Sequence, residues 1–347
     1  MPSTSTPATS DPDAAPLDEL VTVVLVHWNQ PERCADTIAA FQDQGVRVRI
    51  LVVDNGSDPE AFGRLRAVVD DAAGDVELIP LGANTGFGPA ANVGFQRFLD
   101  DGFGEWAALA PHDALPAPGA LRELIDLAEA QPKVGLACAD VGDGETPVVD
   151  PYFGGMTKPA EVDEGWEDAA YPHGTLMIAR PACLEQIGLF DERYFAYCEE
   201  ADLGLRATAA GWGVGLARGV RVVNPSMRSG SPVTDYLMHR NTLLLVRDHS
   251  GPYHAFIRFN IAGIQLVRGL VQPSSRAWLY SAKGRAFGML DFALGRFGPP
   301  PAHLFDEAGD PPGDDPSSGG PEAADAAAPA AVAQGRSASA ADGSPRD

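Results

Sequence analysis

The sequence has little of three features that mark common protein classes: cysteine, basic residues and long apolar runs. Its four cysteines form no Cys-x-x-Cys pair and no zinc-finger spacing, so neither a disulfide scaffold nor a structural zinc site is indicated. No stretch reaches eighteen apolar residues, and the first twenty residues lack the basic start and apolar run of a signal peptide. We therefore expect a cytoplasmic protein with no membrane-spanning helix.

Basic residues are few relative to acidic ones. The chain has 25 Lys plus Arg against 48 Asp plus Glu, which gives a formal net charge of −23. Such a field repels phosphate backbones, so binding to nucleic acid is not expected, although a small nucleotide held by a metal and by backbone groups is still allowed. Hydrophobic residues make up 45% of the chain, enough for a sizeable core.

Both ends of the chain differ in composition from its middle. Residues 1 to about 19 and 299–347 are rich in Ala, Pro, Gly, Ser and Asp and have no apolar periodicity, so we predict that they are disordered tails. Between them we predict a catalytic domain over 20–235 and a helical region over 236–298.

The middle of the chain alternates between strand and helix patterns. Val21–Val26 and Ile50–Val53 are short runs rich in β-branched residues, typical of strands covered on both faces, and Pro31–Gln44 has helical spacing between them. The alternation continues with predicted strands at 76–80, 106–109 and 134–139 and predicted helices at 89–99 and 118–131. The pattern predicts an α/β protein with a mostly parallel sheet, whose function lies at the carboxyl ends of its strands.

Polar residues follow the second and third predicted strands. Asp54 leads into a Gly/Ser turn, where a carboxylate is suited to a ribose or a base N–H, although an Asx-type turn would explain it equally well. The loop Asn84–Gly88 leads into a helix whose N-terminus suits an anionic ligand. A G-x-G-x-x-G sequence does not follow the first strand, which argues against an NAD-dependent enzyme.

Two acidic segments follow further along the chain. Asp113 ends the fourth predicted strand, where it is suited to bind a divalent cation that holds a diphosphate, and His112 is an additional ligand if the ion is Mn²⁺; the alternative is a helix or turn cap. Glu199, Glu200 and Asp202 crowd three carboxylates into four positions, which favours a raised pKa and a general base. The alternative for this segment is an acidic first helical turn with a surface Asp202–Arg206 pair.

Taken together, these motifs are more specific than any one of them. The ordered set V-V-L-V-H-W-N, V-V-D-N-G-S-D, N-T-G-F-G-P-A-A-N-V-G, H-D-A-L-P, H-G-T-L-M-I-A-R and G-L-F-D-E-R-Y-F-A-Y-C-E-E-A-D-L-G-L-R resembles family-2 glycosyltransferases of the GT-A fold, in particular their rhamnosyltransferase-like bacterial branch. The segment 236–241 is similar to the Tyr-x-x-x-Arg-Asn sequence of that branch. The resemblance covers roughly residues 20–298.

The resemblance implies an inverting transfer from a nucleoside-diphosphate sugar, UDP- or dTDP-linked, to a glycan, lipid-linked or small-molecule acceptor in bacterial surface polysaccharide synthesis. Glu200 would be the catalytic base with Asp202 beside it, and Asp113 with His112 would hold Mg²⁺ or Mn²⁺. The residues implied in nucleotide-sugar binding are Asn29, Asp54, Asn84, Gly86, Phe87, Gly88 and Asn92.

Three departures from the family pattern leave an alternative open. Pro111-His112-Asp113 supplies one carboxylate where relatives often have two, Glu200 stands in place of the usual Asp, and Asn224 stands where many relatives have a His. The alternative function is a nucleotide-binding pseudoenzyme or partner protein that keeps the fold with a degenerate metal site.

The segment from Pro252 to Gly298 differs from the rest in charge. It contains six basic residues and one acid, Asp291, interleaved with apolar and aromatic residues. Such helices suit the inner surface of an anionic membrane, where a lipid-linked acceptor would be presented; the alternatives are packing on the catalytic domain or a homodimer contact. The segment 140–171 is expected to shape the acceptor side.

Overall fold

The computed structural model describes residues 17–304, except for 103, 226–231 and 278–279. The predicted disordered tails therefore lie mostly outside the described residues. Near both ends of the described residues, the structure differs from the predicted tail boundaries. The first strand begins at Leu17, and Leu304, which the sequence had assigned to a disordered tail, is fully buried against Val233 and Phe195.

The described residues contain eleven strands. They are β1 Leu17–His27, β2 Val46–Asp54, β3 Asp75–Pro80, β4 Ala107–Pro111, β5 Leu115–Pro116, β6 Val134–Asp140, β7 Glu145–Asp150, β8 Gly154–Pro159, β9 Gly165–Asp168, β10 Met177–Ala179 and β11 Gly213–Val223.

They also contain nine α-helices. These are α1 Pro31–Gln42, α2 Pro59–Asp71, α3 Phe87–Asp101, α4 Ala120–Glu129, α5 Pro181–Ile187, α6 Glu199–Ala209, α7 Pro232–Ser250, α8 Pro252–Val271 and α9 Ala282–Ala293.

Most strands form one sheet in the order β3-β2-β1-β4-β10-β6-β11-β5, with β9 also paired to β11. The pairs β1–β2, β2–β3, β1–β4 and β6–β11 are parallel, and β10 runs antiparallel between β4 and β6. This arrangement confirms the predicted mostly parallel α/β fold. The antiparallel β10 and the separate β7–β8 hairpin were not predicted, because three-residue and glycine-rich strands carry too little apolar pattern.

Helices cover both faces of the sheet. Val23 and Leu25 point to one face, with α1 and α4, while Val24 and Val26 point to the other, with α3 and α6. Both faces of β1 are thus buried, which is why its sequence is a continuous apolar run rather than an alternating one. The carboxyl ends of β1, β2 and β4 come level at one edge, since His27 pairs with Asp54 and Val26 pairs with Pro111.

The last three helices form a bundle beside the sheet. Helix α7 begins at Pro232, so the predicted domain boundary after residue 235 falls inside its first turn. Two glycines of α9 allow close packing on α7, because a β-carbon at Gly284 would lie 2.5 Å from the Pro232 carbonyl and one at Gly288 would lie 2.6 Å from the Tyr236 carbonyl. Among the described residues, no helix is both long and apolar enough to cross a membrane.

Candidate active site

The end of β1 meets the end of β2 through a buried His–Asp pair. His27 Nδ1 lies 3.0 Å from Asp54 Oδ1, and both residues are almost fully buried. His27 Nε2 accepts a hydrogen bond from the backbone N–H of Gln30, which leaves the proton on Nδ1 for Asp54. Ser57 donates to Asp54 through its hydroxyl at 2.5 Å and its backbone N–H at 3.2 Å. The two strand ends therefore form one hydrogen-bonded unit.

These contacts keep Asp54 ionised. Burial acts to raise its pKa, but the hydrogen bonds from His27 and Ser57 outweigh burial and hold the pKa below the usual value. Both carboxylate oxygens already accept hydrogen bonds within the protein, so a direct contact between Asp54 and a base or ribose stays a prediction. Asn29 lies at the same edge with φ +55°, and its Oδ1 accepts from the Asp58 backbone N–H at 2.8 Å.

The loop before α3 is held by two asparagines. Asn55 Oδ1 accepts from the Thr85 backbone N–H at 2.8 Å, and Asn55 Nδ2 donates to Asn84 Oδ1 and to the Gly86 carbonyl, both at 3.2 Å. Gly86 has φ +104°, and a β-carbon there would lie 2.2 Å from the Phe195 carbonyl. Only glycine fits this position, which brings the predicted Asn84–Gly88 loop against the segment that precedes α6.

The first turns of α3 contain the other predicted nucleotide-binding residues. Phe87 and Gly88 begin the helix, where free backbone N–H groups are available. Asn92 instead binds the backbone of Phe190 twice, since its Nδ2 donates to the carbonyl and its Oδ1 accepts from the N–H, both at 2.9 Å. This geometry gives Asn92 a structural role and does not support the predicted contact with a nucleotide.

His112 and Asp113 follow β4 at the same edge. The His112 ring stacks edge-on against His27, with the ring centres 5.2 Å apart, and its Nδ1 lies 3.2 Å from the Val26 carbonyl. Nδ1 therefore carries the proton, and Nε2, which is buried and has no hydrogen-bond partner among the described residues, presents a lone pair. Burial lowers the pKa of His112 to about 4, so the ring is neutral.

Asp113 is 7% exposed, and its Oδ1 accepts a hydrogen bond from Asn224 Nδ2 at 3.0 Å. Asn224, which stands where many relatives have a His, therefore contacts this carboxylate. Among the described residues, no group of three or more His, Cys, Asp or Glu side chains is arranged to hold a metal ion. One carboxylate with amide and imidazole neighbours fits a cation that is bound jointly with a diphosphate, since Mg²⁺ commonly takes one or two carboxylates plus phosphate oxygens.

Glu199 and Glu200 begin α6. Glu199 is 2% exposed, its Oε2 has no hydrogen-bond partner among the described residues, and its side chain packs on Gly88. Burial, and then the charge of Glu200, raise the pKa of Glu199 well above the usual value. Glu200 is half-buried, and burial raises its pKa to about 7. Glu200 is thus poised to take up or release a proton near neutral pH.

Strand pairing brings Glu200 to the edge that contains His112 and Asp113. Met177, the first residue of β10, pairs antiparallel with Leu109 of β4, so Gly174, in the turn just before β10, lies at the sheet edge where β4 ends. A β-carbon at Gly174 would lie 2.3 Å from Glu200 Oε1. The predicted base and the predicted cation ligand therefore come from opposite ends of the domain sequence to the same edge of the sheet.

Asp202 is held away from such a role. Its Oδ2 accepts from Arg206 Nε at 2.8 Å and its Oδ1 lies 2.7 Å from His249 Nε2. An oxygen that is already held by a cationic donor is a poor acceptor for a substrate proton. The geometry favours the ion-pair alternative, except that Asp202 is 4% exposed and so is buried rather than on the surface.

The loop that leads into α6 is held by α7. Phe195, Tyr197 and Cys198 all have positive φ, between +67° and +74°, a strained conformation for residues with side chains. Asn241 Nδ2 donates to the carbonyls of Tyr194 and Ala196 at 2.8 Å and of Tyr197 at 2.9 Å. Arg240, which is fully buried, donates to the Tyr194 carbonyl at 3.1 Å and to that of Gly298 at 2.7 Å.

Sequence reasoning assigned no role to His27, Asn55, Asn224, Arg240 or Asn241 in the geometry of the site. Local signals existed, because a polar residue directly after an apolar strand and a buried Arg-Asn pair in an apolar helix are both unusual. The groups that these residues bind are 27 to 111 positions away in the sequence or lie on another element, so no local pattern could identify those partners.

A surface groove lies elsewhere on the sheet. It has a volume of about 730 Å³ and lies between β3, α3 and the segment containing Leu189 and Glu192. Neither Asp113 nor Glu200 lines it. We therefore base the candidate site on the strand ends rather than on this groove.

Comparison with known proteins identifies the family that the sheet resembles. The family model described as Glycosyl transferase family 2 matches residues 22–188, which include every strand end discussed above from β1 to β4. Residues 22–188 form a family-2 glycosyltransferase domain. The chain is 27% identical over 287 residues to N-acetylglucosaminyl-diphospho-decaprenol L-rhamnosyltransferase of Mycobacterium tuberculosis, a match that covers 69% of this chain and 89% of the relative. The resemblance to rhamnosyltransferase-like family-2 glycosyltransferases is thereby confirmed.

Solved structures with a similar fold are GT-A glycosyltransferases. The mannosyltransferase PcManGT from Pyrobaculum calidifontis, in complex with GDP-Man and Mn²⁺, has a TM-score of 0.50 and 18% identity over 87% of this chain and 82% of its own. GalNAc-T7 with UDP, GalNAc and Mn²⁺ has a TM-score of 0.55 and 15% identity over 79% of this chain and 55% of its own. These likenesses confirm the predicted GT-A fold of the glycosyltransferase.

Proposed function

We propose that this glycosyltransferase moves a sugar from a UDP- or dTDP-linked donor to a hydroxyl of a lipid-linked acceptor, with inversion at the anomeric carbon. The observation that carries the proposal is Glu200, a half-buried carboxylate with a pKa of about 7 that lies at the same sheet edge as Asp113. Inversion needs a carboxylate on the face opposite the leaving group to accept the proton of the acceptor hydroxyl. The mycobacterial relative, by its name, acts on a diphospho-decaprenol acceptor, which supports a lipid-linked acceptor here.

The donor is proposed to lie over the ends of β1, β2 and β4. His27 and Ser57 fix the ionised Asp54 for the nucleoside, and the Asn84–Gly88 loop with the N-terminus of α3 supplies backbone N–H groups for polar donor atoms. Asn29 lies at the same edge, hydrogen-bonded to Ser57 and Asp58. Glu199 packs on Gly88, and burial together with the charge of Glu200 raises its pKa well above the usual value, which favours the neutral form.

A divalent cation, Mg²⁺ or Mn²⁺, is proposed to be held by Asp113 together with the donor diphosphate, with His112 Nε2 available as a further ligand. When bound, the cation offsets the negative charge that develops on the leaving diphosphate. Asn224 orients Asp113 by donating to its Oδ1. Every other part of the proposed chemistry rests on protein groups, with Glu200 accepting the proton.

The nucleotide-binding pseudoenzyme remains the second candidate, because Asp113 is the only carboxylate proposed for the cation. Calorimetric titration with UDP and dTDP, with and without Mn²⁺, separates the two. The enzyme is expected to bind UDP or dTDP more tightly with Mn²⁺ than without it. In Asp113→Asn this increase in affinity is expected to be at least about tenfold smaller. Asp36→Asn, on the exposed face of α1, is the control and should retain it. Binding that is indifferent to Mn²⁺ in the wild type, together with no turnover of any donor in a panel of nucleotide sugars, would favour the pseudoenzyme.

We also propose a peripheral contact between α8 and an anionic membrane. Part of the helix bundle packs internally, since Leu243, Ala262 and Met289 form a buried cluster. The outward face of α8 nevertheless exposes large apolar side chains at helical spacing; they are Tyr253, Phe256, Ile264, Val267, Leu270 and Val271. Residues 249–290 contain five basic residues and no acidic one, in a chain of net charge −23. An apolar face without acidic neighbours suits an anionic bilayer.

The double variant Ile264→Asp with Val271→Asp tests this contact. We expect at least about a tenfold loss of co-sedimentation with phosphatidylglycerol vesicles, because two apolar side chains that enter the lipid are replaced by charges. Val162→Asp, an exposed valine on the catalytic domain, should bind vesicles as the wild type does. If the wild type does not bind the vesicles but forms dimers as its concentration rises, and the double variant stays monomeric, the face is a homodimer contact.

A further inference from the structure

Arg258 of α8 is half-buried, and among the described residues no carboxylate forms an ion pair with it. Its Nε and Nη1 atoms are buried and have no hydrogen-bond partner among the described residues. Its guanidinium lies 5.6 Å from the ring centre of Phe153, a cation–π contact that replaces only part of its hydration. Burial and the nearby charge of Arg285 lower the pKa of Arg258 to about 10, so the side chain is still cationic at neutral pH.

The surroundings of Arg258 connect it to the proposed base. Phe153 lies in the turn between β7 and β8, and the next residue, Gly154, packs on the Thr242 methyl group. The Thr242 hydroxyl lies 3.9 Å from the Cys198 sulfur, and Cys198 directly precedes Glu199 and Glu200. Burial raises the pKa of Cys198 to about 12 while the charge of Arg258 acts in the opposite direction, so the guanidinium is within electrostatic range of this thiol.

The buried arginines of the described chain have carboxylate or carbonyl partners. Arg218 pairs with Glu167 at 2.7 Å, Arg285 pairs with Asp235 at 2.8 Å, and Arg240 donates to backbone carbonyls. A buried charge with no partner is costly, and the cost is removed when an anion binds. Arg258 thus differs from the structural arginines and is available for a ligand.

The anion is identified by the elements around Arg258. Neither α8 nor the β7–β8 turn supplies a residue to the proposed donor site at the ends of β1, β2 and β4, so we assign both elements to the acceptor side of Glu200. On the same helix the outward face is apolar and exposed, at Tyr253, Phe256 and Ile264. A lipid-linked acceptor would place its sugar at Glu200 and its hydrocarbon chain at the outward face of α8. The phosphate groups that join the sugar to the hydrocarbon chain would then lie between these two places.

We propose that Arg258 binds the diphosphate of an acceptor whose sugar is linked to a prenyl lipid through that diphosphate, and so makes the enzyme specific for diphosphate-linked acceptors. This inference rests on the proposed glycosyl transfer. The planar guanidinium presents several donors in a fork that matches phosphate oxygens, which suits it to this ligand.

Calorimetric titration with geranyl diphosphate tests the site without requiring turnover. The wild type is expected to bind it and not geraniol, and Arg258→Gln is expected to weaken binding roughly 10- to 100-fold, as the loss of charge-assisted hydrogen bonds predicts. Arg268→Gln, an exposed arginine further along α8, is the matched control and should bind as the wild type does. Arg258→Lys, which keeps the charge without the fork, should lose less than Arg258→Gln and serves if the glutamine variant fails to fold.

Three results would overturn the proposal. Equal binding of geranyl diphosphate by the wild type and Arg258→Gln is the first. The second is a loss of binding by Arg258→Gln to phosphatidylglycerol vesicles but not to geranyl diphosphate, since the anion would then be a bilayer head group. The third is weaker binding of UDP or dTDP by Arg258→Gln, which would assign Arg258 to the donor.

A transfer assay separates this proposal from the proposed function. With an active donor, KM for N-acetylglucosaminyl diphosphate on a short prenyl chain should rise in Arg258→Gln, while transfer to octyl N-acetylglucosaminide and hydrolysis of the donor should not change. If the wild type turns over no donor but geranyl diphosphate binding still depends on Arg258, then the proposed function fails and the phosphate site stands.

Discussion

Replacing Glu200 with glutamine is expected to lower the rate of sugar transfer by about 10²–10⁴-fold, the usual contribution of a general base. Glutamine keeps the size of the side chain and its contact with Gly174 but cannot accept the proton of the acceptor hydroxyl. The effect should appear in kcat at saturating donor and acceptor, with little change in donor affinity. Initial rates of transfer, measured together with nucleotide binding, check this result.

The pH profile provides an independent check on the same residue. Burial raises the pKa of Glu200 to about 7, and a base must be ionised to act, so the wild-type rate should rise with pH through about 7 and fall in acid. A raised carboxyl pKa also makes the folded state less stable above pH 7 than below pH 4.5, so Glu200→Gln should be at least as stable as the wild type at pH 8. Glu185→Gln changes an exposed residue of α5 and should alter neither the pH dependence of the rate nor that of the stability. Wild-type turnover by Glu200→Gln would remove Glu200 from the base role.

Replacing Asn241 with alanine is expected to lower the free energy of unfolding by about 2–4 kcal/mol, because the part-buried carbonyls of Ala196 and Tyr197 lose this donor while that of Tyr194 keeps Arg240, and each unsatisfied group costs about 1–3 kcal/mol. The same change releases the strained backbone at Phe195, Tyr197 and Cys198, which immediately precedes Glu199 and Glu200. A misplacement of about 1 Å at a reacting group can cost about 10²-fold, so kcat should fall by at least tenfold at temperatures where the variant is still folded.

Denaturant unfolding and kcat measured on the same preparation test the role of Asn241. Asn260→Ala is the matched control, because Asn260 is an exposed asparagine on α8 that donates to one helix carbonyl, and its loss should change stability by no more than about 0.5 kcal/mol. If Asn241→Ala lost stability but kept the wild-type kcat, the asparagine would support the bundle without positioning the base.

Most strands and helices that precede the fifth predicted strand were predictable because they bury a regular pattern of apolar residues. Apart from Thr22, the runs Val21–Val26 and Ile50–Val53 consist of apolar residues, as expected of strands with helices on both faces. Helix α2 was not predicted, although Asp58 caps it with hydrogen bonds to the N–H groups of Glu60 and Ala61 and Pro59 begins it. A capped helix with few buried residues carries little apolar signal, so only the cap and the proline could have identified it.

Among the site residues, those that follow strands were easier to propose than those that begin helices. Asp54 and Asp113 end apolar runs, and parallel pairing brings such ends together whatever the loops do. For Glu199, Glu200 and Asp202 the sequence indicated crowded carboxylates but not their directions. The structure separates them, because residues 199, 200 and 202 point to different sides of α6: Glu199 toward Gly88, Glu200 toward Gly174 and Asp202 toward Arg206 and His249.

By itself the sequence determined the sheet, the edge at which polar residues gather and the family, since all three depend on patterns within short segments. The tertiary structure alone decided that Asp202 is held in ion pairs while Glu200 is half-buried, which asparagines hold loops, and that Arg258 has two buried nitrogens without a hydrogen-bond partner among the described residues. Those properties depend on burial and on neighbours that are distant in the sequence. The pKa of a carboxylate and the availability of a guanidinium are set by what surrounds them in space, and adjacent residues on a helix can face entirely different surroundings.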